Sequence, residues 1–143
     1  MTAHRFTITE RVRWSDLDPA NVVYFGNYVR FVEIAEAELA RHLGHPFSTL
    51  FDRLDFWLPR VEFHVNFAHP AVHDDLLRVE IWIAHIGESS LRLEFEILRD
   101  HDRLALATGH LVMVAVERSA FRTIPIPAEL RESLVRFREQ GTE

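Results

Sequence analysis

The stretch Arg13–Phe31, RWSDLDPANVVYFGNYVRF, carries two aspartates two apart, Asp16 and Asp18. A proline, a short apolar run and the start of a helical period follow. Such a carboxylate pair can cap a helix, hold a metal or serve as the working acid of an enzyme. Asp18-Pro19 has the form of an N-cap followed by a first helical residue. The helical period, however, does not begin at Pro19. Gly26 and Asn27 interrupt the region and the apolar stripe starts at Tyr28, so Asp18 is expected in a loop ahead of the helix. Asn21 and Asn27 are the better local turn or cap candidates. Hard cations want several oxygen ligands, and the further acids and spaced glycine of a calcium loop are missing, so no metal is expected here.

A carboxylate in front of a helix start has a chemical use. The first turn offers unpaired backbone N–H groups and a positive dipole end. Those donors can hold the oxyanion that forms when a carbonyl is attacked. The carboxylate can deprotonate a water or attack the carbonyl itself. Gly26 would let a substrate approach the backbone closely.

Outward from this stretch the periodicity changes in order. Phe6, Ile8, Val12 and Trp14 alternate on one face of RFTITERVRW (5–14), which reads as a strand. Tyr28, Phe31, Val32, Ala35, Leu39 and Leu43 fall three or four apart, one stripe of a long amphipathic helix, with Glu33, Glu36, Arg41 and His42 mostly off it. Gly44 supplies a stop. PFSTLFDRL (46–54) reads as a short helix or turn. Four strands follow. Val61, Phe63, Val65 and Phe67 share a face of the first; Leu77, Val79, Ile81 and Ile83 of the second; Leu91, Leu93, Phe95 and Ile97 of the third. ALATGHLVMVAVE (105–117) is apolar on both faces, as a central strand would be. The links GES (87–89) and DHDR (100–103) suit hairpins. AELRESLVRF (128–137) is a closing helix opened by Pro127. The order predicts an α+β fold in which an antiparallel sheet of about five strands wraps one helix.

The 143 residues fit a single domain. There is no cysteine, which excludes disulfides and thiolate chemistry. All sixteen basic residues are arginine, which excludes a lysine Schiff base. The net charge of −6 disfavours nucleic acid as a partner. No apolar run reaches membrane-spanning length and no signal-peptide block opens the chain, so a cytoplasmic protein without a membrane partner is expected.

RWSDLDPANVVYFGNYVRFVEIAEAELARHLG (13–44) resembles the 4-hydroxybenzoyl-CoA thioesterase family of the hotdog fold: an arginine-aromatic lead-in, Asp-x-Asp, small residues, an apolar pair, Tyr, then the long helix. AHPAVHDDLLRVEIWIAHIGESSLRLEFEILR (68–99) and ERSAFRTIPIPAEL (117–130) are similar to later family segments in the right order. The resemblance implies a hotdog domain over 1–143 that hydrolyses an acyl-CoA or acyl-carrier-protein thioester without a metal or other cofactor. It maps the catalytic aspartate to Asp18 and the carbonyl-polarising backbone N–H to Phe25, with Gly26 beside it. It implies active sites between two subunits of a homodimer, and dimers that pair into homotetramers. The chain departs from the family at Asn21, where many members have glycine, and at Phe25, where some have histidine. Basic residues that some members carry around the 87–89 turn are missing, which leaves Arg60 and Arg92 as candidates for nucleotide phosphate.

Tyr24 and Phe25 precede the helical stripe and are candidates to line an acyl pocket. His64 lies opposite Val61, Phe63, Val65 and Phe67 and could reach a neighbouring active site, although a solvated role is the simpler one. Ser90 could bind substrate, although hairpin serines are commonly structural. His42 and His45 lack an evident third ligand for a metal. His69 and His73 flank Pro70 in a loop and are expected to be exposed. Two other functions stay open: a non-catalytic acyl-CoA or acyl-carrier binding module, and a hotdog hydratase or dehydratase. The latter would want a histidine together with an acid, and none occurs between Arg5 and Arg41.

Overall fold

The computed structural model describes residues 3–140, so the domain expected over 1–143 reaches beyond the described residues at both ends. Strand β1 (Arg5–Arg11) leads through 3-10 turns at Trp14–Asp16 and Phe25–Asn27 into α1 (Tyr28–His42) and α2 (Phe47–Leu54). Then come β2 (Arg60–Phe67), β3 (Leu76–Ile86), β4 (Ser90–Arg99), β5 (Ala105–Val114) and α3 (Ala128–Glu139). The five strands form one antiparallel sheet in the order β1-β3-β4-β5-β2.

Alternation settles which face is buried. Leu77, Val79, Ile81 and Ile83 of β3 and Leu91, Leu93, Phe95 and Ile97 of β4 all point into the core. There they meet Phe31, Val32, Ala35 and Leu39 of α1, which packs on β1 and β3. Gly44, at φ +82°, ends that region in the left-handed conformation glycine tolerates. The hairpin between β3 and β4 is held from α3, where Arg131 donates to the carbonyls of Gly87 and Glu88 at 2.6 and 2.8 Å. Gly109 of β5 admits the close approach of β2. A Cβ there would lie 1.9 Å from the His64 carbonyl oxygen and 2.6 Å from the Phe95 ring.

Three sequence expectations change. β1 ends at Arg11, and Trp14 sits in the following turn 80% exposed, off the face that buries Val12. β2 is an edge strand whose apolar face is covered only in part: Val61 is 61% exposed and Phe67 52%, while Val65 packs against the core. Glu36 is buried, because Arg60 reaches from β2 to pair with it. Burial pushes the Glu36 carboxyl above its usual range, and the Arg60 charge only partly offsets this. No helix among the described residues is long and apolar enough to cross a membrane.

Candidate active site

The two aspartates of the opening stretch have different surroundings. Asp16 is buried, and both its oxygens are occupied. Arg30 Nε–H donates to Oδ1 at 2.8 Å and Arg30 Nη2–H to Oδ2 at 2.5 Å, while the Arg13 N–H also donates to Oδ2 at 2.8 Å. Burial alone would raise the Asp16 pKa, but the Arg30 bonds and charge and the Arg13 N–H outweigh it and hold the carboxyl below its ordinary range. The Asp16 carbonyl accepts the Asn27 Nδ2–H and the Tyr24 N–H, both at 2.9 Å. Asp16 therefore ties the loop to the helix start, and Asn27, at the N-cap position of α1, spends its side chain on that tie instead of on a capping bond.

Asp18 opens a tight turn. Its Oδ1 accepts the Ala20 N–H at 2.8 Å and its carbonyl accepts the Asn21 N–H at 2.9 Å. Asn21 sits at φ +62°, a left-handed conformation that asparagine tolerates better than most residues. The turn closes a small hairpin through the Leu17–Val23 bridge. That hairpin is laced to the loop after β2 by the Val22–Val72 bridge and by the Val23 N–H on the Ala71 carbonyl, 2.9 Å. Asp18 does not cap the helix, and its Oδ2 has no protein partner among the described residues.

A cleft of about 310 Å³ opens beside this hairpin, lined by Asp18, Val22, Phe25, Tyr28, Phe67 and His69 among others. Phe25 and Gly26 are the first residues of the 3-10 turn that runs into α1. Their N–H groups have no backbone acceptor among the described residues, as a helix start dictates. Asp18 and the Phe25 segment thus meet in one cleft. Tyr28 forms part of the wall: its Oη accepts the Ala71 N–H at 3.4 Å, and its ring meets Phe67 edge-on at 5.0 Å. Farther along the seam between α1 and β2 lies a larger hollow of about 510 Å³, lined by Val29, Val32, Phe47, Phe51 and Phe63, with Glu33 and the Glu36–Arg60 pair.

The other expected site residues are spread more widely. Tyr24 is half-exposed and stacks obliquely on Phe25, 4.7 Å between centroids. Its ring packs against Gly26, where a Cβ would come within 2.8 Å of it, so Tyr24 takes up the side of that glycine on which a side chain would stand. His64 points to the opposite face of the sheet, where its ring stacks on His110 at 5.2 Å in a depression shared with Arg5 and Trp82. Within one chain it does not line the Asp18 cleft. Ser90 begins β4 in the hairpin clamped by Arg131, and its carbonyl accepts the Gly87 N–H at 2.8 Å. Arg60 and Arg92 are engaged with Glu36 and Glu94.

His45 is a buried histidine between Ser133 and Arg53. Arg53 can only donate, so Nδ1 accepts and Nε2–H faces the Ser133 oxygen at 2.9 Å, the wrong tautomer to activate that hydroxyl. Burial, then the Arg53 charge, keep the ring's pKa low. Among the described residues no three His, Asp or Glu side chains gather to hold a metal ion. The residue that sequence reasoning passed over is His69. It is exposed, as expected, but at the rim of the Asp18 cleft. Its one sequence signal is its place directly before Pro70 at the end of a strand.

An antiparallel sheet curled on one long helix, with its cleft at that helix's first turn, is a hotdog fold. The chain belongs to the Thioesterase-like superfamily, whose model matches residues 12–134. It is similar to a 1,4-dihydroxy-2-naphthoyl-CoA hydrolase of Thermosynechococcus vestitus, 29% identical over 92% of this chain and 90% of that one. It is also similar to a 4-hydroxybenzoyl-CoA thioesterase of a Pseudomonas species, 26% identical over 91% of this chain and 97% of that one. The crystal structure of a 1,4-dihydroxy-2-naphthoyl-CoA thioesterase from Synechocystis superimposes with a TM-score of 0.86 at 23% identity. That match covers 92% of this chain and 96% of that one and shows a shared fold.

Proposed function

We propose that the chain is a single hotdog domain that hydrolyses an acyl-CoA, or an acylated carrier protein, to a free acid and a thiol. Asp18 is the general base or the nucleophile, and the N–H of Phe25 at the helix start is the oxyanion donor. One observation carries this reading: Asp18, with an oxygen unpartnered among the described residues, lines the same cleft as Phe25, whose N–H at the helix start has no backbone acceptor among them. In the base route Asp18 takes a proton from the attacking water. In the nucleophile route it forms a mixed anhydride that water then cleaves. In both, the carbonyl oxygen gains charge beside the N–H donors. Names of similar proteins support an aromatic acyl group, and so do the aromatic walls at Phe25, Tyr28 and Phe67.

A panel of acyl-CoA substrates tests this. The cleft and the hollow beyond it are mainly apolar, and each buried CH₂ can contribute up to about 0.8 kcal/mol. kcat/KM should therefore rise from acetyl to longer and aromatic acyl groups, read as thiol release. A flat profile or a preference for acetyl would overturn the acyl-pocket assignment. His69 supplies a histidine beside an acid, so the panel includes an α,β-unsaturated acyl-CoA. Its hydration without thiol release would point to the hydratase instead.

We also propose that the working unit is at least a homodimer, formed on β2. This edge strand leaves Val61, Phe63 and Phe67 exposed, and exposed Val29 of α1 shares a hollow with Phe63. Unpaired edges and exposed apolar strands invite pairing with another chain. Phe67 also lines the Asp18 cleft, so a second copy seated on β2 would adjoin that cleft. Sedimentation at micromolar concentration should show a dimer or tetramer; a fully active monomer would overturn the shared site.

A further inference from the structure

Thioester hydrolysis must also deal with the sulfur that leaves. When the C–S bond breaks, sulfur departs with the bonding pair and needs a proton to become a free thiol. Asp18 handles the attacking side of the reaction. The cleft lining also includes an imidazole, that of His69, a side chain that can both donate and accept a proton.

His69 is exposed yet held in place. Its N–H donates to the Leu106 carbonyl at 3.2 Å, and the Ala68 N–H donates to the same oxygen at 2.8 Å. Pro70 restricts the backbone of the residue before it. The ring is tethered separately, with Nδ1 3.2 Å from the Ala105 carbonyl oxygen. A carbonyl can only accept, so Nδ1 carries a proton in both the neutral and the cationic ring. The tether therefore survives protonation and deprotonation, and Nε2 is the nitrogen left to exchange a proton. The floor of the cleft is apolar, with Val22, Val23 and Tyr28, whereas His69 lies at its exposed rim. An acyl group suits the floor, and the thiol portion, which leads out to solvent, suits the rim.

We propose that His69 donates, through Nε2–H, the proton taken up by the leaving sulfur. This rests on the reading of Asp18 as the base or nucleophile of a thioester hydrolase. Cationic His69 gives its Nε2 proton to sulfur as the C–S bond breaks and becomes neutral. The proton released by the attacking water, directly or through Asp18, restores the cation. The sum is one thioester and one water consumed, one acid and one thiol formed. The carbonyl of Ala105 has the role of the orienting third group in such a relay.

The test compares two thioesters of the same acyl group, one of CoA and one of thiophenol, whose far more acidic thiol leaves without help. Each variant is referred to the wild type on the same ester. His69→Asn keeps an amide N–H where Nδ1–H stood and removes Nε2. It should keep the wild-type melting temperature and lose roughly 10²-fold in kcat on the CoA ester. On the thiophenyl ester it should stay within about threefold of wild type, because no proton donor is needed there. Equal losses on both esters would make His69 structural, and no loss on either would remove it from the reaction; both overturn the proposal. Asp18→Asn, run alongside, should be inactive on both esters. If it retains turnover, the reading of Asp18 as base or nucleophile fails; if it is inactive while His69→Asn matches wild type, only the proton-donor assignment fails.

Discussion

Asp18→Asn abolishes most hydrolysis, by roughly 10²–10⁴ or more, while the protein melts at the wild-type temperature. The structure gives both halves of this expectation. Asparagine keeps an Oδ1 that accepts the Ala20 N–H, so the Asp18–Asn21 turn and the hairpin it closes persist. What it loses is the second, unpartnered oxygen with its charge. An amide neither takes a proton from water nor attacks a thioester. Were Asp18 only a turn residue, asparagine would serve equally and turnover would survive. A binding module would show no thiol release even as wild type. A metal-dependent site would lose activity on chelation, whereas hydrolysis by Asp18 is insensitive to it. Thiol release by wild type and variant, with and without chelator, therefore separates these functions. Near-normal turnover in the variant would sink the mechanism.

The legible part of this fold is the part set by local periodicity. β3 and β4 alternate apolar and polar residues and bury every second one, and the α1 stripe from Tyr28 to Leu39 lies on the core. The β2 residues alternate just as regularly, yet Val61, Phe63 and Phe67 are exposed, because a pattern marks a face as apolar without stating what covers it. Glu36 shows the same limit from the other side. Helical spacing places it off the stripe, and only the arrival of Arg60 from a distant strand buries it. In the site, the Asp-x-Asp spacing and the family resemblance point to this hairpin, and the order of turn and helix explains why Asp18 precedes the helix without capping it. The division of labour between the two aspartates depends on Arg30, 14 residues beyond Asp16, choosing one of them. The place of His69 at the rim depends on β2 ending with Phe67 opposite Ala107, a register that brings the His69 ring to the Ala105 carbonyl. Long-range partners of polar side chains were therefore the hardest to foresee.

The choice made by Arg30 leads to the second large effect, on stability rather than chemistry. Asp16→Asn keeps the shape of the side chain but puts an amide NH₂ where only acceptors fit. In one orientation it faces Arg30 Nε–H; in the other it faces Arg30 Nη2–H and the Arg13 N–H. The guanidinium also loses its buried counter-charge, though Glu10 still accepts from Nη1 at 2.7 Å and a quarter of the side chain reaches solvent. Breaking a buried pair from one side costs about 3–5 kcal/mol; the exposure of Arg30 places this one near 3, or about 10 °C in Tm. The pH dependence has a definite sign. The Asp16 pKa is lower in the folded chain than in the unfolded one, so its stabilisation is complete above the unfolded value of about 4 and fades as pH falls through the lower folded value. Denaturant midpoints at fixed protein concentration and pH 7, 5 and 3 should show a wide gap between wild type and variant at the first two. At pH 3 the gap should narrow. Below the melting temperature, turnover per folded molecule should remain far above that of Asp18→Asn. A gap that is the same at pH 3 as at pH 7 would show that the Asp16 charge does not hold the loop to the helix.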